Sequence, residues 1–102
     1  MTPAARRVLQ KMADDEKCDL VRDGFSAWCG STQTTAAVIN QLLRCMAISV
    51  SWKEGRATYY QINTTGRSIL RRPELEQEVI SLVFGQKGAF TIRDDRIVPL
   101  HM

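Results

Sequence analysis

The side chains best suited to recognition chemistry lie between residues 33 and 44. Glutamine and asparagine amides can pair with adenine and arginine with guanine, and threonine or alanine methyl groups can contact thymine in the major groove of DNA. Spacings of three and four residues would place such groups on one side of a helix. The set comprises Gln33, Thr34, Ala37, Asn40, Gln41 and Arg44. The pattern also fits a solvated helix face that contacts nothing.

An amphipathic helix must position these groups, and the apolar residues predict one from about Gln33 to Cys45. Within about one third of the helical wheel, at roughly 100° per residue, lie Thr35, Ile39, Leu42, Leu43 and Met46. The preceding Gly30-Ser31-Thr32 offers N-cap residues. We therefore expect the apolar side to be buried and the polar side to face outward.

A two-stranded ribbon, or wing, is predicted directly after this helix. Apolar residues alternate with serines from Ile48 to Trp52, and the return strand contains Thr58, Tyr59, Tyr60 and Ile62. A three-residue Lys53-Glu54-Gly55 loop with left-handed Gly55 would put Tyr60 and Ile62 on the Ile48/Val50 face. A two-residue Glu54-Gly55 loop would put Tyr59 there instead. We favour the first loop because it turns Ile62 inward, and either leaves Lys53 and Arg56 at the tip.

A short helix is predicted after the ribbon. Thr64 is its expected N-cap, and Gly66 would permit close approach to the ribbon. Arg67 adds positive charge at this point, and Pro73 marks a boundary. Beyond it, Glu74 to Phe84 predicts an amphipathic helix with Leu75, Val79, Leu82 and Val83 along one side. Residues 90–98 then predict a small hairpin around Arg93-Asp94-Asp95-Arg96.

The N-terminal part predicts a helix over residues 3–13, with Pro3 in its first turn, and a hairpin over residues 17–29. The acidic run Asp14-Asp15-Glu16 is expected in the loop between them, because it would oppose the dipole of a helix C-terminus. Asp23-Gly24 is a favoured two-residue turn. That turn would pair Cys18 with Cys29 and create an apolar face of Cys18, Leu20, Phe25, Ala27 and Cys29.

Catalytic chemistry has little support in the residue pattern. His101 is the only histidine and is expected in a disordered tail, and there is no phosphate-binding GxxxxGK[ST] loop. The spacing of the three cysteines fits no zinc motif, so we interpret them as small buried residues. We therefore predict no enzyme, no cofactor and no metal site.

Composition places the chain among ordinary soluble domains. It has 102 residues, 44% of them apolar, and a formal net charge of +3. A pI of about 9.0 suits an anionic partner. The N-terminus has no uninterrupted apolar core and no stretch is long enough for a membrane span, so we expect a cytoplasmic protein.

The segment TYYQINTTGRSILRR, residues 58–72, resembles the end of the wing in many bacterial winged-helix regulators, where a strand runs into Thr-x-x-Gly-Arg. Over residues 5–70 the chain is similar to the small YjhX family, whose members are also described as toxins acting on topoisomerase I. The similarity covers the opening helix, the hairpin with Val21-Arg22-Asp23, the Thr35–Arg44 helix and Ile62–Gly66. It implies a winged-helix layout, whereas no residue here supports transfer of the toxin activity.

Together these patterns predict an α+β protein. Residues 1–72 would form a winged helix (helix, β-hairpin, recognition helix, β-wing, helix), and residues 73–102 a C-terminal helix and small β-hairpin. The protein is expected to bind double-stranded DNA sequence-specifically as a bacterial or phage transcription regulator, and to dimerise through residues 73–100. Lys53, Arg56 and Arg67, with Arg6 or Arg7, would contact phosphates. The alternative is a winged-helix protein that acts by protein contact, as a toxin or an inhibitor of a nucleic-acid enzyme.

Overall fold

The structure, a computed structural model, describes residues 1–15, 17–85 and 88–100. These residues form four helices and seven strands. In chain order the elements are α1 (Pro3–Asp14), β1 (Leu20–Asp23), β2 (Ser26–Cys29), β3 (Thr32–Thr34), α2 (Ala36–Arg44), β4 (Ile48–Glu54), β5 (Ala57–Ile62), α3 (Thr64–Arg71), α4 (Leu75–Phe84), β6 (Phe90–Arg93) and β7 (Arg96–Pro99). None of the described helices is long and apolar enough to cross a bilayer.

Five strands form one antiparallel sheet in the order β3-β2-β1-β5-β4, and β6 and β7 form a separate hairpin. The first hairpin joins the wing because β1 pairs with β5, with Leu20 opposite Tyr60. One face of the sheet is buried and carries Leu20, Ala27, Cys29 and Tyr60. The predicted α+β class is confirmed in this form, a mixed fold with one five-stranded antiparallel sheet.

The first hairpin is present, but its predicted register is wrong. Asp23 pairs with Ser26, so the turn residues are Gly24 and Phe25 rather than Asp23 and Gly24. Gly24 has φ +60 and is the first residue of this turn, where a type II′ turn favours glycine. The shift leaves Asp23 in ordinary strand geometry, and Phe25, predicted to face inward, is fully exposed at the tip.

Strand β3 replaces the predicted start of the recognition helix. Gly30, with φ +59, turns the chain so that Trp28 pairs with Gln33 and Ala27 with Thr34. The helix begins only at Ala36, where the Thr35 side chain caps it by accepting a hydrogen bond from the Val38 N–H at 3.3 Å. Gln33 and Thr34 are therefore strand residues, because pairing with β2 satisfies their backbone groups and Thr35 satisfies the helix end.

The core is apolar and is shared by the sheet and all four described helices. Its fully buried large side chains include Leu9, Leu20, Ile39, Leu42, Ile69, Leu75 and Val79. On α2 the buried set is Val38, Ile39, Leu42 and the following Cys45. Leu43 and Met46 were predicted inside but are partly exposed, since α2 ends at Arg44 and Met46 adopts a left-handed φ of +58.

The wing matches the prediction in part, because Trp52 lies on the opposite face from Ile48 and Val50 and the loop differs. Ile48 pairs with Ile62 and Val50 with Tyr60, so Tyr60 and Ile62 do share the Ile48/Val50 face. A bulge between Val50 and Trp52 shifts the register, and the turn residues are Gly55 and Arg56. Gly55 is left-handed as predicted, at φ +57, but it is the first of two turn residues.

The turn into α3 lies close to the backbone that precedes the wing. Asn63, rather than the predicted Thr64, is the N-cap, and its side chain accepts a hydrogen bond from the Gly66 N–H at 2.8 Å. A Cβ on Gly66 would overlap the Ala47 carbonyl oxygen. The predicted close approach at Gly66 is thus confirmed, and its partner is the residue just before β4.

The C-terminal elements pack against α3. Leu75 and Val79 of α4 are fully buried, Leu82 is half-buried, and Val83 is largely exposed. Arg71 on α3 makes a bidentate contact with Asp95 in the β6–β7 turn, and this guanidinium holds the pKa of the Asp95 carboxyl at about 2. The predicted helix and hairpin are both present. Asp14 ends α1 rather than lying in the loop, while Glu16 and His101 lie outside the described residues.

Candidate nucleic-acid interface

Three of the predicted recognition residues share the exposed side of α2. Ala37, Asn40 and Arg44 are all exposed and are spaced three and four residues apart. This side of the helix is short, since nine residues span roughly 14 Å. It therefore offers a methyl, an amide and a guanidinium group to one partner, enough to contact a few adjacent base pairs.

Gln41 lies at the border of this surface and is half-buried. Its side-chain oxygen accepts a hydrogen bond from the Thr2 N–H at 3.0 Å, which ties α2 to the start of α1. The residue also lines a pocket of about 430 Å³ together with Arg44, Met1, Glu76 and Ile80. Base recognition by Gln41 stays a prediction, since the bond to Thr2 uses only its side-chain oxygen.

Two of the residues that line this pocket form a buried ion pair. The Met1 ammonium lies 2.6 Å from a carboxylate oxygen of Glu76, and both side chains are almost completely buried. A charge-assisted hydrogen bond of this kind offsets the desolvation of the carboxylate. Burial, together with the negative charge of Glu76, raises the pKa of the nearby Cys45 thiol. The pocket is thus part of the helix packing that fixes the position of α2.

Arg44 is oriented by an aromatic ring. Its guanidinium carbon lies 5.3 Å from the ring centre of Phe84 at the end of α4. An aromatic ring attracts a cation at this distance, so the contact links the Arg44 side chain to the end of α4.

The wing tip carries more positive charge than the sequence predicted. Lys53 and Arg56 are exposed at the tip, as expected. Lys53 pairs with Thr58 and Thr58 with Arg22, so Arg22 and Lys53 lie on one face about 9–10 Å apart. That face continues to Leu20 and the core, and is therefore the face on which the helices pack. Sequence reasoning missed Arg22, because only the pairing of β1 with β5 brings it beside Lys53.

Two of the wing cations make weak local contacts. Arg56 approaches Asp23 at 3.7 Å, and both side chains are exposed. The Arg22 guanidinium donates a long hydrogen bond of 3.4 Å to the Gly24 carbonyl. Exposed pairs of this kind contribute at most about 1 kcal/mol, so they leave both cations available for another anion.

The remaining predicted contacts lie elsewhere. Arg67 is half-buried in a groove with Met12, Asp19 and Gln61, at the root of the wing. Gln61 lies four residues along β5 from Ala57 at the tip, a distance of roughly 13 Å. Gln33 and Thr34 border a different groove beside Arg7 and Lys11, of about 360 Å³. Arg6 donates to the Leu70 carbonyl at 3.2 Å, so its guanidinium is engaged within the protein.

The cysteines are buried, as the sequence indicated. Cys18 and Cys29 are neighbours across the first hairpin, with sulfur atoms 3.2 Å apart. Burial and the hydrogen bond from Cys18 raise the pKa of the Cys29 thiol to about 12. A thiol held in this neutral form is a poor nucleophile.

The comparisons with known proteins found no match for this chain among family models, curated proteins or solved structures. The class of domain is therefore described from the fold and the candidate site alone. It is an α+β domain in which a short helix, exposed on one side, leads directly into a β-ribbon tipped by cations.

Proposed function

We propose that this protein binds double-stranded DNA sequence-specifically, as a winged-helix transcription regulator of a bacterium or phage. The observation that carries the proposal is the direct connection of α2 to the β4–β5 wing. A helix with an exposed polar side and a ribbon with a basic tip are adjacent in the chain and in space. In winged-helix proteins such a helix enters the major groove and the ribbon contacts the flanking backbone.

The junction between helix and wing is held rigidly, which supports the proposal. The Asn63 side-chain amide donates to the Met46 carbonyl at 2.8 Å and to the Ser49 hydroxyl at 2.9 Å. Both acceptors lie where α2 gives way to β4. A reading helix and a phosphate-binding wing must keep a set spacing to engage neighbouring parts of one duplex, and this clamp preserves it.

Each group in the proposed interface has a defined role. Arg44 would read guanine, Asn40 adenine, and the Ala37 methyl group would contact thymine. Lys53, Arg22 and Arg56 would neutralise phosphates and set the register without reading sequence. The proposal assigns no catalytic residue and no cofactor.

Arg44→Ala is expected to relax the preference for one base pair and to cost about 1–3 kcal/mol at the preferred site, because a bidentate contact to guanine is lost. The preferred site is first selected from randomised duplexes with the unaltered protein. Affinity is then measured for that site and for its single-base variants. Lys17→Ala removes an exposed cation outside α2, the wing and residues 73–100, and should change nothing. An unaltered base preference in both Arg44→Ala and Asn40→Ala would exclude α2 from the groove.

Lys53→Ala is expected to weaken binding to all duplexes alike, since a phosphate contact carries no sequence information. The slope of log affinity against log salt should fall by about one unit. Arg22→Ala should behave in the same way if the cationic face of the wing is used. Lys17→Ala, which removes an exposed lysine outside the wing, should leave the slope unchanged. Loss of specificity without a change in slope would contradict this role for Lys53.

A homodimer joined through residues 73–100 is expected to place two copies of α2 in half-sites about 34–36 Å apart. Within this segment Val83 and Phe84 are the most exposed apolar side chains of α4, at 41% and 64%. Truncation at Arg72 would remove the fully buried Leu75 and Val79 and uncover the core that they cover, so point variants test the prediction better. Sedimentation equilibrium should find a dimer for the full chain and a monomer for Val83→Ser. A monomeric full chain at micromolar concentration would refute the dimer.

The second candidate function is action through protein contact, as a winged-helix toxin or an inhibitor of a nucleic-acid enzyme. Its support is the partly apolar character of the α2 surface. Leu43 and Met46 are partly exposed on or just beyond α2, and Phe84 lies under Arg44. Selection from randomised duplexes discriminates between the two functions, because a protein of the second kind would enrich no sequence.

A further inference from the structure

The sheet has a second, open face that the proposed DNA interface does not use. Strand pairing aligns one residue from each of the five strands in a single row. Gln33 pairs with Trp28, Trp28 with Val21, Val21 with Tyr59, and Tyr59 with Trp52. Leu20, Cys29 and Tyr60 form the next row and are buried on the opposite side. We call the open side, with Trp28, Val21, Tyr59 and Trp52 at its centre, the aromatic face.

The aromatic face is exposed and flat. Trp28 and Trp52 are 42% and 52% exposed, although a sheet normally buries residues of this size. The rings of Trp52 and Tyr59 stack at 4.7 Å between centroids with 22° between planes, so they are held as one platform. Large exposed aromatic surface is characteristic of an interaction site, because tryptophan and tyrosine are enriched in interfaces.

The charge around the aromatic face is negative, opposite to that of the whole chain. In the row next to the aromatic residues, Ala57 pairs with Asp23 on one side and Glu54 on the other. Arg56 approaches Asp23 at 3.7 Å across an exposed gap. Two carboxylates therefore border this face in a chain with a net charge of +3.

We propose that the aromatic face binds a protein partner through an exposed segment rich in arginine and lysine. Guanidinium groups stack on tryptophan faces, and their donors pair with carboxylates in the same plane. The alternation of aromatic and acidic side chains on one surface matches both contacts at once. A nucleic-acid strand would instead bring its phosphates against Asp23 and Glu54. The carboxylates that border the aromatic face therefore favour a positively charged partner. The partner's binding site on the protein is separate from Lys53 and Arg22, which lie on the other face.

Both tryptophans of the chain lie on the aromatic face, so intrinsic fluorescence reports its occupancy directly. The full-length protein is titrated with a short arginine–glycine repeat peptide, a glutamate–glycine peptide of the same length, and single-stranded oligothymidylate. The arginine peptide is expected to give a saturable change that weakens with added salt. The glutamate peptide and the oligonucleotide are expected to give none.

Paired variants locate the binding. Asp23→Asn combined with Glu54→Gln should weaken the arginine peptide about three- to tenfold, which corresponds to two exposed ion pairs. Trp28→Ala should weaken it further, with Trp52 as the remaining reporter. Phe25→Ser removes a fully exposed aromatic side chain at the nearby turn, outside the row, and should leave the affinity unchanged.

Three outcomes would overturn the proposal. A response to oligothymidylate alone would make the face a base-stacking platform for single strands. If no probe changed the fluorescence, the aromatic face would not bind arginine-rich segments as proposed. A response to the arginine peptide that survives the carboxylate and tryptophan variants would place binding elsewhere. Lys53→Ala and Arg44→Ala should not affect the peptide, so failure here is distinguishable from failure of the DNA-binding proposal.

Discussion

Replacing Gly66 by alanine is expected to lower the free energy of unfolding by about 2–3 kcal/mol, the cost of an overpacked site. The new Cβ would overlap the Ala47 carbonyl oxygen, and it would lie 3.1 Å from the Ala47 carbonyl carbon and 2.9 Å from Cγ1 of Ile62. Two of these atoms are backbone, so no side-chain rotation can relieve the overlap. Either α3 must shift away from the wing or the α2–β4 junction must move.

Helix propensity alone predicts the opposite sign, which makes the experiment informative. Alanine is favoured over glycine inside a helix by about 1 kcal/mol. Urea unfolding followed by tryptophan fluorescence measures the difference, and Thr64→Ala in the same turn is the matched control. Thr64 is exposed, so its replacement should have little effect. A Gly66→Ala protein as stable as the original would mean that α3 does not approach Ala47 as closely as described.

Asn63→Ala is expected to destabilise the protein by about 2–3 kcal/mol, because one side chain makes three hydrogen bonds that each contribute about 1 kcal/mol. Its oxygen caps α3 through the Gly66 N–H, and its amide donates to the Met46 carbonyl and the Ser49 hydroxyl. The residue therefore joins the end of α2, the start of β4 and the start of α3. Its loss should loosen the helix relative to the wing as well as lower stability.

Two variants separate these contributions. Asn63→Asp keeps the capping oxygen but removes the amide donors, so it should retain the α3 cap and lose the clamp on Met46 and Ser49. Ser49→Ala removes only one acceptor and should be the mildest of the three. Urea unfolding ranks their stability, and duplex affinity at a temperature where all are folded reports the α2–wing geometry. Equal stability of Asn63→Ala and Ser49→Ala would refute a separate capping role for Asn63.

Local signals in the sequence predicted most of the helices and strands. Helical periodicity located α1 and α4, a capping signal located α3, and alternation located β4 and β5, because each pattern depends on residues only a few positions apart. The residue types typical of turns predicted where the turns occur but not the exact positions of the turn residues. Gly24 and Gly55 were both expected in turns and both adopt positive φ, yet each is the first turn residue rather than the last. A shift of one residue was enough to move Phe25 from the expected core to the surface.

Strand β3 illustrates a signal that the sequence carries ambiguously. Thr32–Thr34 contains residues that suit both a helix cap and a strand. Pairing with β2, together with the Lys11 ammonium that donates to the Thr32 hydroxyl and the Cys29 carbonyl, favours the strand. Lys11 lies in α1, so this contact is invisible to any local pattern.

The candidate site also has features that the sequence predicted and features that only the tertiary structure revealed. By itself the sequence determined that Ala37, Asn40 and Arg44 share one side of a helix and that Lys53 and Arg56 lie at a ribbon tip, because short-range periodicity and turn chemistry dictate both. Only the tertiary structure decided that Gln41 is bonded to Thr2, that Arg67 lies at the root of the wing, and that Arg22 joins Lys53. It also decided that the aromatic side chains form one row, since Val21 and Tyr59 are far apart in the chain and become neighbours only when β1 pairs with β5.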